Sequence, residues 1–534
     1  MNRSWARPAG AVAACIIAGT VLVGERAPVS STPVTTPVPV TVSVEAGPHS
    51  VLTALVTVSS DRPIQPALVA RSAHHIVTIP APARAAATLQ IALVGLRAKA
   101  TYDLALSQPG MAFEPSGDLT YASGPLPDGM PDLIVAATPR ARPGYTLFNL
   151  YPDGGDPRRR AYVVMVDETG AVVWYLETPG SDVRQLPNGL IQFQYDHVGA
   201  RQVDLLGNVV HEWTTSARLQ YGQSDAPLTA HPAVIDLPRL HHEISNGPDG
   251  SLIALSFEVR PVTGIPADRC LGEDPANYKG DLLVQVGPNG RVLRRFSIFD
   301  IVDPVARPGS EPCEVHGDPY VPGVRYIDWT HGNAVTLYED QNLLLYSSRY
   351  LDAIMAIRWQ DDEQGPAGEL LWELGPDGDF ELTSGLWFSH QHAPELLDDH
   401  TILLYDNGNL RAGSVAVGGR LAPYSRAVMY EFDHSSPDRS EWTARQIWQH
   451  VDEEGGVPVY SDMIGDADDI GGGHVLVTNG AVISTDHVDL HGNVSETDRD
   501  TGEVVLDIRT VPYGGSWSTF RAEHLDSLYP GARR

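Results

Sequence analysis

The stretch PELLDDHTILLYDNG, residues 394–408, consists of two apolar runs separated by an acidic turn. Apolar runs of this length on either side of a polar turn predict a β-hairpin. The same arrangement recurs along the chain, so this segment is one copy of a repeat. The other copies are DVRQLPNGLIQFQYD (182–196), HEISNGPDGSLIALS (242–256), VTLYEDQNLLLYSS (335–348) and DADDIGGGHVLVTNG (466–480).

A second series of hairpins alternates with the first. Each copy has a strand, a turn rich in Asp, Gly or Asn, and a second, largely apolar strand. Interleaved, the two series supply four short antiparallel strands per unit and six units, which predicts a six-bladed β-propeller. A long β-helix is the alternative, but its repeats are shorter and more regular. The second series comprises YVVMVDETGAVVWYL (162–176), RQVDLLGNVVHEW (201–213), DLLVQVGPNGRVLRRF (281–296), AIMAIRWQDDEQGPAGELLWEL (353–374), VMYEFDHSSPDRSEWTARQIW (428–448) and SETDRDTGEVVLDI (495–508).

The N-terminal part of the chain has a different pattern. Residues 1–28 combine arginines with a short apolar run, which predicts a signal peptide or an uncleaved N-terminal anchor. Residues 29–40 are rich in Pro, Thr and Ser and are expected to form a linker. Closely spaced short strands over 41–128 predict a small β-sandwich, which leaves 129–534 for the propeller. We therefore expect an all-β, exported protein that is periplasmic, secreted or displayed on the cell surface.

The composition excludes some classes of partner. Lys and Arg total 37 against 67 Asp and Glu, a formal net charge of −30. This balance argues against nucleic acid as a partner, and against any membrane partner beyond the N-terminal anchor. An anionic substrate would therefore need cations supplied by its own pocket. In an exported protein, Cys270 and Cys313 predict a disulfide, with two free thiols as the alternative.

Three histidines occupy related places in the repeat. His242 lies eight residues before the turn residue Gly250, and His392 lies eight residues before His400, which takes the same turn position. His331 lies in the corresponding part of a slightly longer copy. Because the first strands of propeller blades line the central channel, residues at their beginnings converge near the axis. We therefore predict that the three histidines share one site.

Two kinds of chemistry suit such a cluster. Three imidazoles can hold a metal ion, or one can act as a nucleophile while the others stabilise charge. Arg349 ends a strand of the His331 unit, and its guanidinium suits the recognition of oxyanions. Asn333 adds an amide. His390 lies two residues before His392, so strand alternation would turn both side chains to the same side.

Short motifs, in their order and spacing, resemble those of the bacterial aryl-sulfate sulfotransferases, the PAPS-independent arylsulfotransferases. The resemblance runs from about residue 130 to the C-terminus, and the N-terminal sandwich also fits this family. It implies transfer of a sulfuryl group from a phenolic sulfate ester to a phenol, by a ping-pong reaction through a sulfohistidine, without a nucleotide donor, cofactor or metal. The motifs are HHEI (241–244), HGNAV (331–335), SSRYLDAI (347–354), LLWELGPDGDF (370–380), QH (391–392) and FRAEHLDSLYP (520–530).

The resemblance also implies a role for each matching residue. His392, in QH, is implied to be the nucleophile that carries the sulfuryl group. His390 is expected to be its neighbour and a substrate contact. The residues implied to complete the site are the oxygen-binding His331, Asn333 and Arg349, and the remaining histidine His242, with His241 as the less favoured choice.

Other interpretations compete with this one. A metallohydrolase propeller would use the three histidines as ligands, and a non-catalytic binding propeller would use them structurally. The Asp-rich turns at 375–379 and 465–469 are interpreted as solvated turns, with calcium binding as the alternative. Residues 260–325 form a long insertion, which we interpret as a lid or as the contact of a homodimer. Trp387 and Phe388 are expected to line an aromatic substrate pocket.

Overall fold

The computed structural model describes residues 36–116, 119–152, 160–221, 227–265, 276–310, 315–318, 321–411, 415–417, 420–483, 490–510 and 515–529. The predicted signal segment, Cys270 and Cys313 lie outside these ranges. Strands dominate the described residues, which confirms the prediction of an all-β chain. They contain one α-helix, α1 (Ser216–Tyr221), and short 3-10 helices at Pro248–Gly250, Ile298–Asp300, Glu339–Gln341 and Arg439–Glu441. None of the helices described is long and apolar enough to cross a bilayer.

The first eight strands form two four-stranded sheets, ordered β5-β2-β1-β7 and β4-β3-β6-β8. Alternate residues of β2 and β6 are buried, as expected for strands with one face on a core. Val56 from one sheet and Leu104 from the other belong to the same apolar cluster. The strands are β1 Val38–Ala46, β2 Ala54–Ile64, β3 Ala67–Arg71, β4 Ile76–Ile79, β5 Ala86–Leu93, β6 Thr101–Ser107, β7 Phe113–Ser116 and β8 Thr120–Ala122.

The later strands alternate along the chain with tight turns. They are β9 Leu133–Ala137, β10 Tyr145–Pro152, β11 Tyr162–Asp167, β12 Val172–Glu177, β13 Gly180–Gln185, β14 Ile191–Tyr195, β15 Gly199–Val203, β16 Val209–Thr215, β17 Ala233–Ile235, β18 His241–Asn246, β19 Leu252–Val262, β20 Ala276–Val286, β21 Val292–Ser297, β22 Val315–Gly317, β23 Arg325–Asp328, β24 Gly332–Tyr338, β25 Leu343–Ser348, β26 Ala353–Arg358, β27 Leu370–Leu374, β28 Glu381–Ser384, β29 His392–Leu396, β30 Thr401–Asp406, β31 Val415–Val417, β32 Arg420–Ala422, β33 Arg426–Asp433, β34 Thr443–His450, β35 Glu453–Glu454, β36 Val457–Pro458, β37 Asp466–Gly471, β38 His474–Ile483, β39 Leu490–Asp498, β40 Val504–Thr510, β41 Trp517–Ser518 and β42 Ala522–Leu525.

In the described ranges these strands build six larger sheets and two small hairpins, β31-β32 and β35-β36. Sheet 1 is β12-β11-β10 with β41 and β42, and sheet 2 is β13 to β17 in order. Sheet 3 is β18-β19-β20 with β21, β22 and β23, and sheet 4 is β24 to β27 in order. Sheet 5 is β28-β34-β33-β30-β29, and sheet 6 is β37-β38-β39-β40-β9. The chain ends therefore complete sheets 1 and 6, since β42 and β9 come from opposite ends of this region.

The strand at one edge of each sheet contacts the corresponding strand of the next sheet. These edge strands are β42, β13, β18, β24, β29 and β37, and β37 contacts β42 in turn, so that the contacts form a ring. The facing edges would otherwise leave backbone N–H groups without acceptors. Side chains of the neighbouring edge strand accept from several of them: Asp182 from Ile244 N, Glu243 from Val335 N, Tyr338 from Leu396 N, Glu395 from Asp469 N, and Glu523 from Gln185 N.

Candidate functional site

Edge strands of the ring carry backbone irregularities at or beside the predicted site residues. His242, His331 and His390 have positive φ angles of 56°, 47° and 58°. This left-handed region is uncommon for residues other than glycine, and it costs free energy that the surrounding structure must offset. Such strain concentrates at functional sites, and here it sets the direction of three histidine side chains.

A β-bulge changes the correspondence predicted between His242 and His392. His241 pairs with Leu255, and the bulge that follows contains His242, at φ 56°. In sheet 5 it is His392 that precedes the bulge, and Ala393, at φ 48°, lies within it. His392 therefore corresponds to His241 rather than to His242. Counting residues back from the turn could not reveal this difference. A bulge shifts the strand register by a residue, and the sequence carries no signal for it.

The structure nevertheless brings the predicted histidines together. The ring centroids of His242 and His331 are 5.1 Å apart, and Tyr350 lies 4.6 Å from His331 and 5.9 Å from His390. The guanidinium of Arg349 lies 5.2 Å from the Tyr350 ring. His392 interacts electrostatically with Arg349, His331 and His242, and we call all of these residues the histidine cluster. The sequence did not single out Tyr350, although it directly follows Arg349.

His392 is almost fully buried, with 2% of its surface exposed. Its Nδ1 lies 2.6 Å from Oδ1 of Asn407. Burial, reinforced by the positive charge of Arg349, lowers the pKa of His392 well below the usual 6.5. The imidazole is therefore neutral near pH 7, the state in which one ring nitrogen has a free electron pair.

Arg349 and Asn333 are also buried. Arg349 donates from Nη2 to the backbone carbonyl of Asp462 at 2.9 Å, which orients its guanidinium. Asn333 donates from Nδ2 to the carbonyl of Gln391 at 2.6 Å. This bond ties β24 to the residue immediately before His392. The position of Asn333 thus supports the strand that carries the predicted nucleophile.

A chain of hydrogen bonds behind His242 determines where its proton lies. Nε2 of His241 is 3.0 Å from the carbonyl oxygen of Ser256 and 3.2 Å from a carboxylate oxygen of Asp281. Both are acceptors, so Nε2 carries a proton, and Nδ1 of the neutral ring accepts from Nδ1 of His242 at 2.9 Å. Nε2 of His242 then has a free electron pair. Burial, and next the charge of His331, lower the pKa of His242 well below 6.5.

This chain corrects the assignment of His241 as an alternative substrate contact. His241 is 1% exposed, and both of its ring nitrogens face protein partners. Asp281 anchors the chain because it also accepts from Thr330 Oγ1 and Gly332 N. Burial alone would raise the pKa of Asp281, but the hydrogen bonds from His241 and Thr330 lower it to about 2.

His331 has a carboxylate partner of its own. Its Nδ1 lies 2.8 Å from Asp328, which also forms an ion pair with Lys279 at 2.9 Å. Burial opposes ionisation of Asp328, yet Lys279 and His331 hold its pKa well below the usual range. The Nδ1 proton of His331 therefore points to Asp328, and its side chain, 27% exposed, presents the other nitrogen to the site.

The structure also gives the surroundings of the other expected site residues. His390 has no exposed surface, and its Nδ1 lies 3.0 Å from Ser389 Oγ. His392 is almost equally buried, so the expected substrate contact of His390 stays a prediction. Trp387 and Phe388 contact Tyr430 in an apolar core shared by sheets 4 and 5, which corrects the expectation that they line a pocket. Apolar residues that precede a strand can pack in the core as readily as line a site, and these two residues pack in the core.

The geometry gives the metallohydrolase interpretation no support. Within the described ranges, no three His, Cys, Asp or Glu side chains are placed so that they could hold a metal ion together. The rings of His241, His242 and His331 instead meet edge to face, and Nδ1 of each is used by a protein partner.

A second region of the ring is a cavity of about 620 Å³ that contains none of the predicted catalytic residues. We call it the acidic cavity. Among its lining residues are Asp182, Glu243, Glu395, Asp466, Asp468, Asp469, Glu523 and Asp526, with Arg142, Arg184 and Arg521. Arg521 forms ion pairs with Asp182 at 3.2 Å and Glu243 at 2.8 Å, and it also donates to the carbonyl of Asn333. Arg521 thus connects the acidic cavity to the strand that bears Asn333.

The family model Arylsulfotransferase (ASST) matches residues 140–513. This chain belongs to the arylsulfotransferase family. The match covers the part of the chain that carries His242, His331, Arg349 and His392, and it confirms the resemblance drawn from the motifs. Membership of the family supports an aryl sulfotransferase activity. No curated protein matches the sequence.

Solved structures resemble the chain only distantly. A protein of unknown function from Bacteroides caccae is 11% identical and covers 72% of this chain and 99% of its own, with a TM-score of 0.36. The periplasmic gluconolactonase PpgL of Pseudomonas aeruginosa is 12% identical over 71% of this chain and 99% of its own, with a TM-score of 0.33. BamB from Moraxella catarrhalis is 10% identical over 72% and 96%, with a TM-score of 0.24. These similarities assign neither activity nor substrate to this chain.

Proposed function

We propose that this protein transfers a sulfuryl group from an aryl sulfate ester to a phenol through a sulfohistidine on His392. The observation that carries the proposal is that the buried imidazole of His392, whose pKa is lowered, interacts electrostatically with the guanidinium of Arg349 and the imidazoles of His331 and His242. A neutral imidazole is a nucleophile at physiological pH, and the surrounding groups match the charge that develops on sulfuryl oxygens.

In the first half-reaction, a ring nitrogen of His392 attacks sulfur with its free electron pair. The N–S bond forms, the S–O bond to the aryl ring breaks, and a phenolate leaves with the bonding electrons. Because phenols have a pKa near 10, this leaving group needs little help from an acid. Arg349 and His331 stabilise the sulfuryl oxygens, and Asn333 has a second amide proton for the same purpose. This is the electrostatic and positional catalysis that phosphoryl transfer also uses.

In the second half-reaction, a phenol replaces the departed phenolate. Nε2 of His242 accepts the phenolic proton, the phenol oxygen attacks sulfur, and the N–S bond breaks with its electrons returning to His392. The first phenolate takes a proton from water, and the protonated His242 later gives its proton to water. Over the whole cycle the acceptor's proton is thus transferred to the departed phenol, and His242 is regenerated as the neutral base. The pKa of His242, lowered by burial, leaves its electron pair available near pH 7.

The donor proposed is the aryl sulfate itself rather than the nucleotide PAPS. PAPS carries several phosphate charges, which would require a group of cations. Arg349 is the arginine of the histidine cluster, whereas Arg521, whose charge also acts on His392, is neutralised by Asp182 and Glu243. With a net charge of −30 over the whole chain, one local guanidinium suits a singly charged sulfate ester better.

We further infer that the six sheets are the blades of a propeller and that the two N-terminal sheets form a sandwich. The ring of contacts between edge strands supports the first inference, and the apolar cluster shared by Val56 and Leu104 supports the second. The domain bounds 41–128 and 129–534 remain part of this proposal. So does export from the cytoplasm, which rests on the N-terminal sequence.

The proposal is tested with purified protein, 4-nitrophenyl sulfate and phenol. We expect sustained release of nitrophenol only when phenol is present, with formation of phenyl sulfate. His392→Ala should abolish both the release and the transfer. His390→Ala, two residues earlier, tests whether the buried His390 has only a structural role. Sustained release without an acceptor would identify a sulfatase instead. Retention of full transfer by His392→Ala would overturn the proposal.

A further inference from the structure

Asn407 follows β30 and is fully buried beside His392. Its Nδ2 donates to the backbone carbonyls of Ser461 at 2.8 Å and Ile464 at 2.9 Å. Its Oδ1 lies 2.6 Å from Nδ1 of His392. Carbonyl oxygens only accept hydrogen bonds, so they require the amide nitrogen on their side and leave the amide oxygen toward the imidazole.

This orientation determines which nitrogen of His392 carries the proton. An amide oxygen only accepts, so Nδ1 of His392 must donate, and the neutral ring has its free electron pair on Nε2. Were the amide reversed, its nitrogen would face Nδ1 and its oxygen would face two carbonyl oxygens. The carbonyls of Ser461 and Ile464 thus fix the amide of Asn407, and that amide selects one tautomer of the imidazole.

The turn that holds Asn407 is itself anchored. The Ser461 hydroxyl donates to the carbonyl of Met463 at 3.0 Å and accepts from Ala481 N at 3.0 Å. Ile464 has a φ of 51°, a costly conformation for a β-branched residue. That conformation directs the Ile464 carbonyl at Asn407. The strain is therefore located at the group that fixes the amide.

We propose that Asn407 is a positioning residue that makes Nε2 the sulfuryl-carrying atom of His392 and keeps the proton on Nδ1 throughout the cycle. This inference rests on the proposed function. When Nε2 bonds to sulfur, the ring becomes a positively charged sulfoimidazolium, since Nδ1 retains its proton. A neutral amide stabilises that proton without removing it. When the phenol attacks sulfur, the leaving group is then the neutral imidazole of His392. A neutral imidazole is a better leaving group than an imidazolide anion.

The tautomer is tested directly by ¹⁵N NMR of the full chain labelled at its histidines. The His392 signals are identified by their loss in His392→Gln. We expect a protonated Nδ1 and an unprotonated Nε2 near pH 7. A proton on Nε2 in the unaltered protein would overturn the proposal, whatever its activity. This measurement needs no substrate, so it is independent of the proposed function.

The kinetic test compares Asn407→Leu with Asn409→Leu. Asn409 donates to the carbonyl of Asp462 in the same turn, at 3.0 Å, so its substitution also removes a partly buried hydrogen bond to that turn. The measured quantity is the rate of the nitrophenol burst from 4-nitrophenyl sulfate without acceptor. We expect a loss of roughly 10- to 100-fold in Asn407→Leu, the range seen for groups that orient metal-binding imidazoles, and a change below about twofold in Asn409→Leu.

The two variants and the unaltered protein separate the outcomes. In Asn407→Leu we also expect the His392 ¹⁵N signals to shift toward a mixture of tautomers, which a merely structural role would not cause. Equal losses in both variants, with the tautomer unchanged, would overturn the positioning role. A burst absent from the unaltered protein would count against the proposed function alone. If Asn407→Leu fails to fold, the NMR result on the unaltered protein still decides.

Discussion

The histidine cluster and the acidic cavity are built from the same ring of edge strands, yet they hold opposite kinds of titratable group. In the cluster, burial lowers the pKa values of His242 and His392. In the cavity, burial raises the pKa values of Glu395 and Glu523 to about 7. The physical cause is the same, because burial disfavours the charged form of any group. It produces neutral bases in one region and partly protonated acids in the other.

The two regions also differ in how their polar groups are used. Carboxylates of the cavity, such as Asp182 and Glu243, accept backbone N–H groups across the sheet boundaries and pair with Arg521. They therefore support the ring. In the cluster, protein partners occupy one nitrogen of His242 and of His392 and leave the other available. The comparison indicates that the cavity is structural and that the cluster is reactive.

The largest expected effect distinguishes the two regions by activity. His242→Gln should lower the rate of transfer to phenol by roughly 10²- to 10⁴-fold, because the proposed general base is lost. Glu523→Gln keeps an acceptor for Gln185 N and should leave the rate nearly unchanged. Steady-state release of nitrophenol at several phenol concentrations measures both. Similar losses in the two variants would contradict the division into a reactive and a structural region.

A second difference concerns the pH dependence of the reaction. Because the pKa of His392 lies well below 6.5, its neutral form persists below that pH. The burst rate with 4-nitrophenyl sulfate should thus stay constant from about pH 8 to about pH 6 and fall only at lower pH. Stopped-flow measurement of the burst across this range tests the expectation. A rate that halves near pH 6.5 would show an unshifted imidazole.

The smallest expected effect is on the stability of the protein. It grows as the pH rises, whereas the loss of burst rate is expected as the pH falls. The pKa of Glu395 is about 7 in the folded protein, above its usual 4.5, so its ionisation favours the unfolded state as pH rises between these values. Glu395→Gln should remove this loss of folding stability. It should therefore stabilise the protein by at least roughly 1 kcal/mol near pH 8, but hardly at all near pH 4. Urea unfolding at the two pH values measures the difference. Equal effects at both would indicate an ordinary pKa.

Much of the fold followed from local patterns. The stretch 394–408 was predicted to be a hairpin, and Leu396 of β29 indeed pairs with Ile402 of β30. Turn residues and alternating apolar residues act over a few positions, so they are visible in the sequence. The all-β class followed for the same reason. The motifs around Arg349 and His392 likewise indicated the family, which the match over 140–513 confirms.

The partners of the site residues were not predictable in this way. The position of the proton on a histidine is determined by Asn407, Asp281 and Asp328. These residues lie in strands or turns that carry no motif of their own. The nearest signal was DNGN at 406–409, which looked like an ordinary turn after a strand. Trp387 and Phe388 were wrongly expected to line the site, because Phe388 belongs to the apolar core between sheets 4 and 5 and Trp387 packs against it.

By itself, then, the sequence determined the strand class, the hairpin repeat, the acidic charge and the candidate residues, because each depends on neighbours along the chain. The tertiary structure alone decided the bulge that separates His242 from the place of His392, the burial that keeps both neutral, and the orientation of Asn407. These depend on contacts between distant strands. Asn407 and Ser461 are 54 residues apart, and no local pattern records that they meet.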